Sequence, residues 1–182
     1  MAALAGSVAR RYARALFAIG VDRGTFEALG RELREVAALW TDSPDLRQAL
    51  SNPVFKPSQK RSILQGLMPR VAPSADVQKL VLLLLDRGRI ASLPGIALAY
   101  EEMVDEKLNR VRAVITSARP LDIGAQAEIK RTLERRTGKT VIMTTAVDPS
   151  LIGGVVAQVA GLVLDGSLKA RLGTIGSRLL LN

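Results

Sequence analysis

Leu108-Asn109-Arg110-Val111-Arg112-Ala113-Val114-Ile115-Thr116 is where the chain changes grammar. Upstream of it, apolar residues recur every three or four positions, the period of one face of a helix. From Val111 the run is short and β-branched, which predicts a strand. The break divides the sequence into a helical part, 1–105, and a small α/β part, 106–182. The expected class is therefore a two-domain α+β protein, with a six-helix bundle followed by a compact sheet unit.

Working back from the break, a sixth helix is expected from about Ile90 to Leu108, burying Ile96, Tyr100, Met103, Val104 and Leu108. Pro94 falls in its first turn, where proline is tolerated. Pro73-Ser74 opens a fifth helix, with Ser74 as its cap and Gly88 just past its end. Its Val77, Leu80, Val81, Leu82, Leu83, Leu84 and Leu85 are apolar nearly all round, so it is either buried or covered by a partner. A fourth helix opens at Pro57-Ser58, carries Ile63, Leu64 and Leu67, and is expected to stop before Pro69. Ser43 and Pro44 start a third, to about Leu50, with Ser43 at the N-cap and Pro44 at the first helical position. The second, near Thr25 to Thr41, has the cleanest stripe: Phe26, Leu29, Leu33, Val36, Ala37 and Trp40. In the first, Val8, Tyr12, Ala15, Leu16 and Ile19 form one face. Ala5, Ala9, Ala13 and Phe17 form a second, smaller one. Gly20 and Gly24 are expected to punctuate its end.

Working forward, Arg119-Pro120 closes the first strand. Asp122 caps a helix containing Ile123, Ala127, Ile129 and Leu133, which Gly138 ends. Thr140 to Val147 reads as a second strand and Asp148-Pro149-Ser150 as a turn. Gly154 to Ala160 and Leu162 to Leu164 read as a hairpin joined at Gly161. Asp165-Gly166-Ser167 leads into a last helix with Leu168, Leu172, Ile175 and Leu179. The order is β-α-β-β-β-α.

Composition narrows the chemistry. The 182 residues include neither Cys nor His. That removes disulfides, thiolate chemistry and sulfur-bound zinc, together with the commonest general base and metal ligand. Lys and Arg number 26 against 17 Asp and Glu, a net charge of +9. The charge divides unevenly: 14 basic and 11 acidic residues to position 105, then 12 and 6 beyond it. Aromatic residues are only 3%, too few for base-stacking platforms. The longest apolar run, Leu80 to Leu85, is far short of the ~20 residues of a membrane helix, and the first residues lack a signal-peptide pattern. Direct membrane insertion is therefore not expected, and the protein is expected to stay where it is made.

The motifs nominate no catalytic, cofactor-binding or metal-binding residue. Gly138-Lys139-Thr140 resembles the end of a phosphate loop, but the position that needs the first glycine is Leu133, and a helix precedes it where a strand should. Gly153-Gly154 lacks dinucleotide spacing. Glu101-Glu102 and Asp105-Glu106 diverge around a helix and read as a solvated face. Lys130, Arg131, Arg135 and Arg136, diluted by Glu128 and Glu134, read as surface charge. The over-apolar fifth helix beside Tyr12, Ala15 and Leu16 is more telling, because it fits either a packed core or a groove for a partner helix.

Several stretches resemble the ATP synthase delta subunit family, the bacterial counterpart of the oligomycin-sensitivity-conferring protein. They are Ala9-Arg10-Arg11-Tyr12-Ala13-Arg14-Ala15-Leu16-Phe17; Asn52-Pro53 followed by Lys60-Arg61-Ser62-Ile63-Leu64; and Leu84-Leu85-Asp86-Arg87-Gly88-Arg89-Ile90. The most specific pair is Asp148-Pro149-Ser150-Leu151-Ile152-Gly153-Gly154, then Leu164-Asp165-Gly166-Ser167-Leu168-Lys169-Ala170-Arg171-Leu172. Departures are Leu162, where a polar residue is more usual, and Gly173 and Gly176 in the last helix.

The resemblance implies a non-catalytic stator subunit without cofactor, present in one copy and joining the catalytic head to the peripheral stalk. It implies a groove for the N-terminal helix of an alpha subunit at Tyr12, Ala15, Leu16, Leu80 and Leu83. It also implies a second domain, marked by Asp148, Gly153, Gly154, Asp165, Gly166, Ser167, Arg171 and Leu172, that meets the C-terminal segment of the b subunits. No nucleic acid partner is implied. The expected place is peripheral, on the cytoplasmic face of a bacterial plasma membrane. The alternative is a basic RNA-binding helical bundle of the NusB type, against which the α/β half and the few aromatics argue.

Overall fold

The computed structural model describes residues 2–151, 153–159 and 162–165. Two compact units emerge, residues 1–104 and 105–182. The first contains α1 (Ala2–Asp22), α2 (Phe26–Asp42), α3 (Pro44–Ser51), α4 (Pro57–Val71), α5 (Ala75–Asp86), a 3-10 turn (Ile90–Ser92) and most of α6 (Leu93–Lys107). The second contains β1 (Arg110–Ser117), α7 (Ile123–Thr137), β2 (Thr140–Val147), β3 (Val155–Val159) and β4 (Leu162–Asp165). Among the described residues there are thus seven α-helices, six from the first part of the chain and one between strands, and the order β-α-β-β-β is observed. The final expected helix, with Leu168, Leu172, Ile175 and Leu179, lies outside the described residues, as does the hairpin link at Gly161.

Tyr100 of α6 is the centre of the helical core. It is fully buried, its ring meets Phe17 edge-on at 5.6 Å, and Phe17 in turn meets Phe26 at 5.9 Å. The stripe on α2 is buried as its spacing predicts: Leu29, Leu33, Val36, Ala37 and Trp40. Gly20 does not end α1; it lies within the helix. A methyl group there would stand 2.8 Å from the Phe26 Cα and 2.9 Å from the Tyr100 hydroxyl, so glycine lets α2 and α6 close on α1. Gly24, with φ of +67°, makes the turn.

Three further expectations are corrected. Pro69 sits inside α4 rather than after it, because Met68 and Val71 pack on the core and hold the last turn despite the missing N–H. Ser43 and Ser74 stand at the N-cap positions as expected, but their side chains make no cap hydrogen bond. At α5 a carboxylate from α2 takes that role: Glu32 Oε2 accepts the Ser74 N–H at 2.8 Å, placing negative charge at a helix N-terminus. The sixth helix begins as a 3-10 turn and becomes α-helical only at Leu93.

The second unit is a mixed four-stranded sheet in the order β2-β1-β3-β4. β1 and β2 are parallel and joined through α7, while β1–β3 and β3–β4 are antiparallel. Alternation along β1 buries Val111, Ala113 and Ile115, which pack with Val141, Val159 and Leu133 of α7. The Asp122 carboxylate caps α7 by accepting the Ala125 N–H at 2.7 Å, and Gly138 closes it in the left-handed conformation at φ +65°. Asn109, at φ +50°, turns the chain from α6 into β1. Val114, Ile142 and Val163 lie on the opposite face of the sheet, away from α7, and are exposed.

Candidate functional site

Two contacts show that α1 and α5 run antiparallel. Near the C-terminal end of α1, Arg23 pairs with Asp76 in the first turn of α5 at 2.5 Å. Toward the other end, Arg89, just past α5, donates to the Tyr12 hydroxyl at 3.1 Å. Leu16 and Leu80 are buried and form the floor of the seam between the helices. Leu83 and Ile19 stand at its surface, 42% and 39% exposed, with Ala15 exposed beside them and Tyr12 half-buried. The five expected groove positions are therefore brought together but in different roles: two are core, two face solvent, and Tyr12 bridges. Ile19 joins them, and its place on the Tyr12–Ala15 face was legible from spacing.

A cleft in this unit lies elsewhere. A space of about 520 Å³ opens between α1 and the start of α6, lined by Gly6, Ala9, Ala91, Gly95 and Leu98, with Arg10 and Glu102 at its rim. Small side chains leave that gap, whereas Leu16 and Leu80 fill the α1–α5 seam.

In the second unit, the residues of the expected C-terminal motif divide. Asp148 ends β2 in a turn: its carboxylate accepts the Ser150 N–H at 2.9 Å, and the hydrogen bonds from Ser150 hold its pKa below the ordinary value. Gly154, at φ +85°, supplies a left-handed residue before β3, with Gly153 half-buried beside it. These three residues build the connection between β2 and β3. Asp165 closes β4 opposite Val156. Gly166, Ser167, Arg171 and Leu172 lie outside the described residues.

The remaining polar groups point to structure. Lys139 follows the α7 cap and is exposed. The carboxylates of α6 are not all solvated, contrary to expectation. Glu101 pairs with Arg34, and the buried Asp105 pairs with Arg112, as a carboxylate removed from water requires. Among the described residues, no group of three or more Asp and Glu side chains could hold a metal ion, and no helix is long and apolar enough to cross a membrane.

The profile of the family described as ATP synthase delta (OSCP) subunit matches residues 8–179. The chain is 44% identical over 169 residues to the ATP synthase subunit delta of Anaeromyxobacter dehalogenans strain 2CP-C, covering 93% of this chain and 94% of that one. It is 39% identical to the ATP synthase subunit delta of Geobacter sp. strain M21, again over 93% and 94%. Its fold is similar to a chain in the cryo-EM structure of the Toxoplasma gondii mitochondrial ATP synthase hexamer, with a TM-score of 0.71, 26% identity, and 94% and 97% of the two chains covered. The RNA-binding alternative finds no support in these likenesses. A profile match over most of the chain and relatives of this identity and coverage show that the chain belongs to the ATP synthase delta (OSCP) subunit family.

Proposed function

We propose that this chain, a non-catalytic stator subunit of the proton-translocating ATP synthase, clamps the catalytic head through one unit and the peripheral stalk through the other. In this reading the helical unit, 1–105, receives the N-terminal helix of an alpha subunit along the α1–α5 seam. The sheet unit, 106–182, holds the C-terminal segment of the b subunits. One copy serves each complex, peripherally, on the cytoplasmic face of a bacterial plasma membrane.

The observation that carries the reading is the line of Ala15, Ile19 and Leu83 at the surface, above buried Leu16 and Leu80. An amphipathic helix laid on it removes these aliphatics from water, in the helix-in-groove mode. The exposed Val114, Ile142 and Val163 support a contact of the same kind on the sheet face away from α7. The excess of 12 basic over 6 acidic residues beyond position 105 favours an acidic or mixed-charge stalk partner. A stator resists torque and breaks no bonds, so two extended interfaces are what the function demands.

Reconstitution tests this. The chain is stripped from energised membranes carrying the rest of the synthase and added back, while ATP hydrolysis and ATP-driven proton pumping are followed together. Pumping that returns only with the chain, while the detached head hydrolyses ATP without it, is the expected result. Unchanged pumping, with no rebinding to the head, overturns the proposal.

A further inference from the structure

The turn between α3 and α4, residues 52–56, holds two apolar side chains out into water. Val54 is 81% exposed and Phe55, next to it, 38%. Single exposed apolar residues are ordinary on protein surfaces. This pair differs because the backbone beneath it is fixed. The Asn52 carboxamide oxygen accepts the Val54 N–H at 2.9 Å, and the Gln59 side-chain oxygen accepts the Lys56 N–H at 2.9 Å. Asn52 and Lys56, each before a proline, are extended, at φ −69°, ψ 124° and φ −64°, ψ 150°. Pro53 and Pro57 lock their own φ. The turn therefore displays Val54 and Phe55 in one geometry, and little entropy remains to be lost when a partner covers them.

Charge around the turn has one sign. From Leu46 to Ala75 the chain carries no acidic residue, and its cations are Arg47, Lys56, Lys60, Arg61 and Arg70. Arg47 donates to the carbonyls of Trp40 and Thr41 at the end of α2, and Arg61 holds both oxygens of Asp86, at 2.7 and 2.8 Å. Lys56 and Lys60 have no carboxylate partner among the described residues. The Arg61–Asp86 pair also places the turn. It brings the start of α4 beside the end of α5, the end at which Arg89 meets Tyr12. The apolar pair and its two ammonium groups thus stand at the Tyr12 end of the helical unit, outside the α1–α5 seam.

We propose that residues 52–56 act as a peg: Val54 and Phe55 enter an apolar pocket on the catalytic head whose rim carries carboxylates facing Lys56 and Lys60. The inference rests on the docking of the helical unit to the head. Two side chains are too few to hold a protein by themselves. Once a helix lies in the seam, the peg meets its pocket within one assembly, at high effective concentration. A second point of contact also stops the unit from turning about the docked helix, which a stator under torque requires. A lipid surface fits less well. One fatty chain alone gives only marginal membrane binding, and Val54 and Phe55 offer less apolar surface than such a chain.

The test uses the full chain, the detached head of the same synthase and a synthetic peptide of the alpha-subunit N-terminus. The double variant Val54→Ser/Phe55→Ser alters surface side chains, and its thermal melt checks that it folds. It is expected to bind the head about tenfold more weakly, as loss of a buried anchor does, while binding the peptide as wild type does. Lys56→Glu should weaken head binding at low salt, with the difference closing at about 0.5 M salt, where screening is nearly complete. Because the chain has no Cys, Val54→Cys takes a benzophenone label at one place and changes one exposed side chain. In membranes holding the whole synthase, light should join that label to a protein of the head. Three results overturn the peg and leave the seam standing: head binding unchanged in the double variant, a label that reaches only lipid or the stalk, or binding to phosphatidylglycerol vesicles that the double variant loses. A double variant that binds peptide and head equally weakly acts through the seam, and the peg falls. If wild type binds neither peptide nor head, the docking of the helical unit falls and the peg with it.

Discussion

The Tyr100 hydroxyl on α6 donates a hydrogen bond to the carbonyl of Phe26, 2.9 Å away at the start of α2. Residues 74 positions apart are thereby tied at the centre of the helical core, with Gly20 of α1 against both. Tyr100→Phe keeps the ring and removes the bond. It should cost about 1 kcal/mol of unfolding free energy in a urea titration, the usual net worth of a hydrogen bond. A loss of several kcal/mol would mean that the ring packing itself had changed.

The same phenol makes the fold sensitive to high pH. Burial, with a contribution from Glu32, pushes its pKa from 10.0 up to about 12. The folded state therefore keeps its proton after the unfolded chain has begun to lose it. This contribution is complete below about pH 10 and is lost as pH rises toward 12. Thermal melts of wild type and Tyr100→Phe over that range should converge as the pH increases.

Gly20→Ala should destabilise the chain by about 1–3 kcal/mol, even though alanine favours a helix by up to about 1 kcal/mol. The added methyl meets the Phe26 backbone at 2.8 Å, where nothing flexible can give way. Gly66, on the surface of α4 with nothing within 4 Å, is the control: Gly66→Ala should be neutral or stabilising. Equal melting temperatures for the two variants would remove close approach as the reason for glycine at position 20.

Ala15→Asp and Leu16→Ala should separate binding from folding. Ala15 is exposed and Leu16 only 3% exposed. The aspartate should leave the melting temperature within a degree or two yet abolish binding of the alpha-subunit peptide, because docking would bury an unmatched charge. Leu16→Ala should cost about 2–5 kcal/mol through the cavity it leaves. Calorimetry and peptide titration on both variants check the pair.

In the sheet unit, Asp122→Ala removes the one side chain that caps α7. A loss of about 1 kcal/mol is expected. Amide exchange should report it in α7 before β1, since the strand is held by two neighbours in the sheet. Uniform acceleration across the unit would instead indicate a single cooperative block.

Much of this protein was decided locally, and that part the sequence by itself determined. The stripe on α2, the Asp122 cap, the Gly138 stop and the β-branched run after Asn109 act over a few residues. The order of helices and strands, the division near residue 105 and the family motifs could therefore be read without coordinates. Tertiary structure alone decided which side chains of the apolar face reach solvent. Leu80 and Leu83 are equally apolar and three residues apart, yet one is 8% and the other 42% exposed, because α1 covers only one side of α5. It alone assigned the α5 cap to Glu32, 42 positions from Ser74, and kept Gly20 inside a helix rather than at its end. The physical reason is common to these cases: periodicity and capping are properties of neighbouring residues, whereas burial and close approach depend on which distant segment arrives.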